Sequence, residues 1–72
     1  MKGGTKVNST LLKLKRKAAG YTQEDMSKLF NYSRQAYQQK ESSKINFKMS
    51  EIKKLKELFN LTNDEIYEIF ID

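Results

Sequence analysis

A chain of 72 residues with a net charge of +5 holds one domain and one modest core, because so short a chain buries only around 60% of its unfolded surface. It has neither Cys nor His, which excludes disulfide and most metal staples and leaves helix packing or a partner subunit to stabilise it. The same lack removes the usual residues of nucleophilic, acid-base and metal chemistry. The acidic residues form no obvious pair, and no Ser–Lys spacing favours a dyad, so neither an enzyme nor a cofactor is expected.

The charge is divided along the chain. Residues 1–48 carry 11 basic and 3 acidic side chains, a balance of +8, whereas residues 49–72 carry 3 basic and 6 acidic, a balance of −3. A basic part of a small domain fits a phosphate-binding surface and equally an ordinary solvated one. No apolar run of about 7 residues near the start suggests a signal peptide, and Ile69 to Ile71 falls far short of a membrane span. The expected place is the cytoplasm.

Pro is absent and Gly occurs only at 3, 4 and 20, so the class expected is all-α. Residues 1–8, with the Gly3-Gly4 pair and no periodicity, read as a mobile basic arm. A single domain then covers residues 9–72. Asn8, Ser9 or Thr10 caps a first helix that runs to Ala19 and stops at Gly20. Its apolar side is read as Leu11, Leu14 and Ala18, with Leu12 and Ala19 beside them. The basic run Lys13 to Lys17 could suggest membrane attachment, but these leucines and alanines are better used as core.

Thr22-Gln23-Glu24-Asp25 is an acidic capping box that opens a short second helix with Met26 and Phe30 on one face. Asn31 tolerates the left-handed turn, and Ser33 caps a third helix from Arg34 to about Glu41. Ser42 to Asn46 is a polar loop. Met49, Ile52, Leu55 and Phe59 mark a fourth helix ending at Asn60. Thr62 to Glu65 is a second capping box, and Ile66, Ile69 and Phe70 give a fifth helix its buried side.

Two short helices joined by about three residues place a second helix in a DNA major groove. The residue types agree: small Ser27 at the close approach, apolar Met26, Phe30 and Tyr37 inward, polar Arg34, Gln35, Gln38 and Gln39 outward. The stretch Gly20 to Tyr37 (GYTQEDMSKLFNYSRQAY) resembles the lambda-repressor-like (Cro/CI, XRE) helix-turn-helix family. The likeness covers Leu11 to Phe70 and includes the ending Leu61 to Phe70 (LTNDEIYEIF), which looks like the family's last helix. In length the chain also resembles the small Cro-type or repression-modulating proteins of temperate phages of Gram-positive bacteria.

The resemblance implies a compact five-helix domain and a transcriptional regulator bound to a double-stranded operator. It implies that Arg34, Gln35 and Gln39, with Gln38 as a further member, reach base edges, where Arg suits guanine and Gln suits adenine. Gln23 resembles the family residue that bonds a phosphate at a helix N-terminus. Ser33 fits a phosphate contact, a cap, or both. Ser42, Lys44 and Asn46 lie in the loop that follows the DNA backbone in relatives, where a solvated loop is the other reading. Arg16 and Glu41 match a structural pair, and Tyr37 is expected to be buried with its hydroxyl partnered at the edge of the core. Three departures from the family pattern stand out: Asn31 for a turn Gly, Ser42-Ser43 for a Gly-containing loop start, and Lys40 for an aromatic or aliphatic residue.

A competing role is that of a modulator or antirepressor that binds a partner repressor and alters its DNA occupancy. Tyr67, Phe70 and Ile71 give the last helix more apolar surface than one face needs, which suits a protein interface, a homodimer, or a fuller core.

Overall fold

The computed structural model describes residues 7–70, which form five helices and no strand. They are α1 (Ser9–Ala18), α2 (Gln23–Phe30), α3 (Arg34–Glu41), α4 (Met49–Leu58) and α5 (Asn63–Phe70). Residues 1–6, most of the expected arm, and Ile71 lie outside the described residues. Val7 and Asn8 belong to the packed domain: Val7 is buried, and its amide donates to Ser43 Oγ at 3.0 Å. Asn8 caps α1, accepting from the Leu11 amide, while its own amide donates to the Ile69 carbonyl at 2.7 Å. The start of α1 is thereby tied to the end of α5.

Local chemistry sets most helix boundaries. Thr22 and Asp25 exchange side-chain and backbone hydrogen bonds at 3.0 and 2.9 Å, and Thr62 and Glu65 do the same at 3.1 and 2.8 Å. Each pair satisfies amides that would otherwise lack a partner. Ser33 Oγ accepts from the Ala36 amide and opens α3. Helices α1 to α4 all end in the same way, with a left-handed residue at Gly20, Asn31, Ser43 and Asn60 (φ 90, 61, 72 and 52°). After each, an amide reaches back to a carbonyl five residues earlier, as from Tyr32 to Ser27 at 2.8 Å and from Lys44 to Gln39 at 2.9 Å. This is the Schellman pattern, which favours Gly but is met here mainly by Asn and Ser. The left-handed Asn31 and Ser43 are thus the physical counterpart of two departures noted above.

The core contains Leu12, Met26, Tyr37, Phe47, Leu55, Phe59, Leu61, Ile69 and Phe70. A chain of aromatic rings runs through it, from Phe30 to Tyr37 (6.1 Å), Phe47 (6.3 Å) and Phe70 (5.8 Å). It joins α2, α3, the loop before α4, and α5. Centroid spacings of this size are the favoured range for ring pairs.

Two expected faces need correction. In α1 the inward side is Leu12 and Arg16, with Leu11 beside them, while Leu14 is 59% exposed and Ala18 faces out. Arg16 takes an inward position because a carboxylate waits for it, as described below. In α4, Met49 is exposed and Glu51 is buried instead, since Glu51 partners a buried lysine.

Candidate nucleic-acid interface

Helix α3 is divided lengthwise by its sequence. Tyr37, Lys40 and Glu41 are buried, whereas Arg34, Gln35 and Gln38 are exposed and Gln39 is half-buried at the margin. The three- and four-residue spacing of the buried set puts it on one side and turns Gln35, Gln38 and Gln39 away from it, while Arg34 is exposed as the first residue of the helix. α2 packs closely on α3, with Ser27 buried and its hydroxyl donating to the Glu24 carbonyl at 2.7 Å. A larger side chain at this position would push the two helices apart.

Glu41 anchors the buried side of α3. Its fully buried carboxylate accepts from Arg16 Nε at 2.8 Å, Arg16 Nη2 at 3.4 Å, Tyr37 Oη at 2.9 Å and Gln23 Nε2 at 2.9 Å. Arg16 also donates to the Tyr21 carbonyl at 2.8 Å. One carboxylate thus joins α1, α2 and α3. The hydroxyl of Tyr37 finds its partner inside the core, not at its edge, and its pKa is raised well above the ordinary 10.0 by burial first and by Glu41 second. The anionic phenolate is disfavoured both by low polarity and by a negative neighbour.

Gln23, at the first position of α2, spends one amide hydrogen on Glu41, which leaves the second for another acceptor. Ser33 is exposed, with its oxygen already accepting from Ala36. Ser42 is half-buried and donates to the Gln39 carbonyl at 3.2 Å. Lys44 and Asn46 are exposed in the loop after α3. The sequence-expected residues therefore fall on four parts: Gln23 at the start of α2, Ser33 in the turn before α3, the exposed residues of α3, and the loop that follows it. On α5, Tyr67 is 69% exposed, but Phe70 is only 6% exposed and meets Phe47. Phe70 is spent on the core of this chain, and Ile71 falls outside the described residues.

The family model for helix-turn-helix HTH_3 matches residues 12–66. The chain belongs to the lambda-repressor-like helix-turn-helix family. No curated protein and no solved structure matches the chain significantly. The family is one of DNA-binding transcription regulators, typically non-enzymatic and often dimeric. In this helix-turn-helix protein α2 and α3 are the paired helices, and α3 holds the position of the recognition helix. Among the described residues no helix is long and apolar enough to cross a membrane.

Sequence reasoning missed one feature beside this helix-turn-helix. Lys40 is 7% exposed, and its ammonium donates to Glu51 Oε1 at 3.0 Å and to the Asn46 carbonyl at 3.2 Å. It also lies 5.0 Å from the Tyr32 ring centroid and 5.8 Å from that of Phe47, within the range of cation–π attraction. Burial holds the ammonium below its ordinary pKa, with the Lys48 charge adding to the effect. A signal existed: Lys40 is three residues after Tyr37, on the same side, where the family pattern puts an apolar residue.

Proposed function

We propose that the protein is a sequence-specific DNA-binding regulator that lays α3 in the major groove of an operator. The observation that carries this reading is the division of α3, with Arg34, Gln35 and Gln38 exposed while Glu41 locks its buried side to α1 and α2. A rigidly held helix has little backbone freedom left to lose on binding, so only the rotamer freedom of these side chains is given up. Arg34 bonds O6 and N7 of a guanine, and Gln35 bonds N6 and N7 of an adenine in the same two-point manner. Gln39 and Gln38 extend this readout one turn along the helix. Gln23, Ser33, Ser42, Lys44 and Asn46 meet phosphates, which fixes orientation without reading sequence. The cytoplasm, where bacterial DNA lies, is the proposed place of action.

A helix-turn-helix gains affinity from two half-sites about one helical turn apart, which requires a dimer. Exposed Tyr67 on α5 favours that face for a second copy, and it also supports a second reading in which the domain binds a partner repressor. The test is selection of duplexes from a random pool, followed by titration at several salt concentrations, with and without a repressor encoded beside the protein. Enrichment of one motif, with binding that weakens steeply with salt, supports direct regulation. Recovery of no motif, together with formation of a repressor complex, overturns it in favour of the second reading.

A further inference from the structure

Lys40 stands in the last turn of α3, yet its ammonium is turned away from solvent, into a cage of Glu51, the Asn46 carbonyl, Tyr32 and Phe47. We propose that Lys40 is a positioning residue, which contributes to DNA binding by fixing the loop of residues 42–46 rather than by touching a phosphate. The inference rests on the DNA-binding reading above.

Three observations support it. First, the Lys40 ammonium bonds the loop directly at Asn46 and bonds the first turn of α4 at Glu51, so it ties the far end of the loop to both helices. Second, Glu51 is itself held, because the same Oε1 accepts from the Lys48 amide at 2.7 Å. The cage therefore has a rigid wall on the α4 side. Third, the near end of the loop is fixed separately: the Lys44 and Ile45 amides donate to the Gln39 carbonyl at 2.9 and 3.2 Å, and Ser43 Oγ accepts from Val7. With both ends held, the exposed Lys44 between them is presented at a defined place. An aliphatic residue at position 40 would fill the space but could not bond the Asn46 carbonyl, so the far end of the loop would be released.

A charge drawn inward also cannot release phosphate counterions, although a count of basic residues on α3 would include it. The net effect is that this helix-turn-helix uses a buried cation to shape its loop and an exposed one to bind.

The test is a double-mutant cycle on the full chain, read on a duplex enriched from a random pool by the wild-type protein. The slope of log affinity against log salt is measured for wild type, Lys40→Met, Lys44→Ala and the pair together. Lys44→Ala is expected to reduce the slope by about 0.9, the loss of one phosphate contact. Lys40→Met is expected to reduce it similarly, and the pair is expected to lose no more than Lys44→Ala alone. Losses that add in the pair overturn the proposal, because Lys40 would then meet a phosphate itself. An unchanged slope and affinity for Lys40→Met also overturn it, because the residue would then serve stability alone. If Lys40→Met does not fold, the cycle is run in Lys40→Met with Glu51→Gln, which leaves no unpaired buried charge and keeps an acceptor for the Lys48 amide. A wild-type chain that enriches no duplex overturns the DNA-binding reading itself, an outcome distinct from additive losses.

Discussion

Tyr37 donates its hydroxyl to Glu41 one helical turn later, at 2.9 Å, and neither side chain meets solvent. Glu41 at the same time closes an ion pair with Arg16 from α1. Helix α3 is therefore held from behind by a charged network, so its stability and its proposed DNA contacts can be altered separately.

Tyr37→Phe removes one hydrogen bond to a buried carboxylate and should lower stability by about 1.5–3 kcal/mol in urea denaturation. The wild type should also lose stability in alkali. The pKa of Tyr37 is raised in the fold, so its contribution is complete below the unfolded value of 10.0 and declines as pH rises above it toward the folded value. Tyr37→Phe should flatten that alkaline decline, and a decline that is unchanged would refute the assignment.

Glu41→Ala should cost about 3–5 kcal/mol, because it leaves the Arg16 guanidinium buried without its counter-charge. Arg16→Met combined with Glu41→Leu and Tyr37→Phe should recover part of that loss, since neither a buried charge nor a buried hydroxyl is then left without a partner. Circular dichroism during thermal unfolding measures both. Equal losses for the single and combined variants would show that the unpaired guanidinium is not the main cost of Glu41→Ala.

Asn31 adopts φ 61° at the turn between α2 and α3. Asn31→Gly should raise stability by up to about 1 kcal/mol, because Gly enters the left-handed region freely. Asn31→Val should lower it by about 1–2 kcal/mol through the clash of its branched side chain. Denaturant midpoints decide, and a stabilising Val would disprove the strain argument.

The capping carboxyls of Asp25 and Glu65 are both held below their ordinary values of 3.8 and 4.5. For Asp25 the leading cause is the Thr22 amide, and for Glu65 it is the Lys15 ammonium, 2.6 Å away. Groups shifted in this direction stabilise the fold above their unfolded values and lose that effect as pH falls through them. Melting temperature should thus drop below about pH 4.5, near the ordinary Glu value, and Asp25→Asn with Glu65→Gln should make the drop shallower.

Arg34→Ala and Gln35→Ala should each reduce discrimination between operator and altered sites by about 1–3 kcal/mol. Both residues are exposed, so the melting temperature should stay within the small range of surface substitutions. Competition titrations with single-base variants of the enriched duplex provide the measurement. Sequence discrimination that survives both substitutions would remove α3 from the role of reader.

The helix starts at Thr22, Ser33 and Thr62, the first start to within Asn8, Ser9 or Thr10, and the stops at Gly20, Asn31 and Asn60 were legible in the sequence because each involves groups within about five residues along the chain. The same local rules placed Arg34, Gln35 and Gln38 outward and Tyr37 inward. The family resemblance then directed attention to Gln23, Lys44 and the Arg16–Glu41 pair. What only the tertiary structure decided is where polar side chains go when they are buried. Periodicity favoured Leu14 over Arg16, because it cannot see that the partner of Arg16 lies 25 residues away on α3. It likewise passed over Lys40, whose partner Glu51 stands 11 residues on, across a loop. Burial of a charge becomes tolerable only where another element brings the opposite charge to it, and that meeting is a property of the assembled fold.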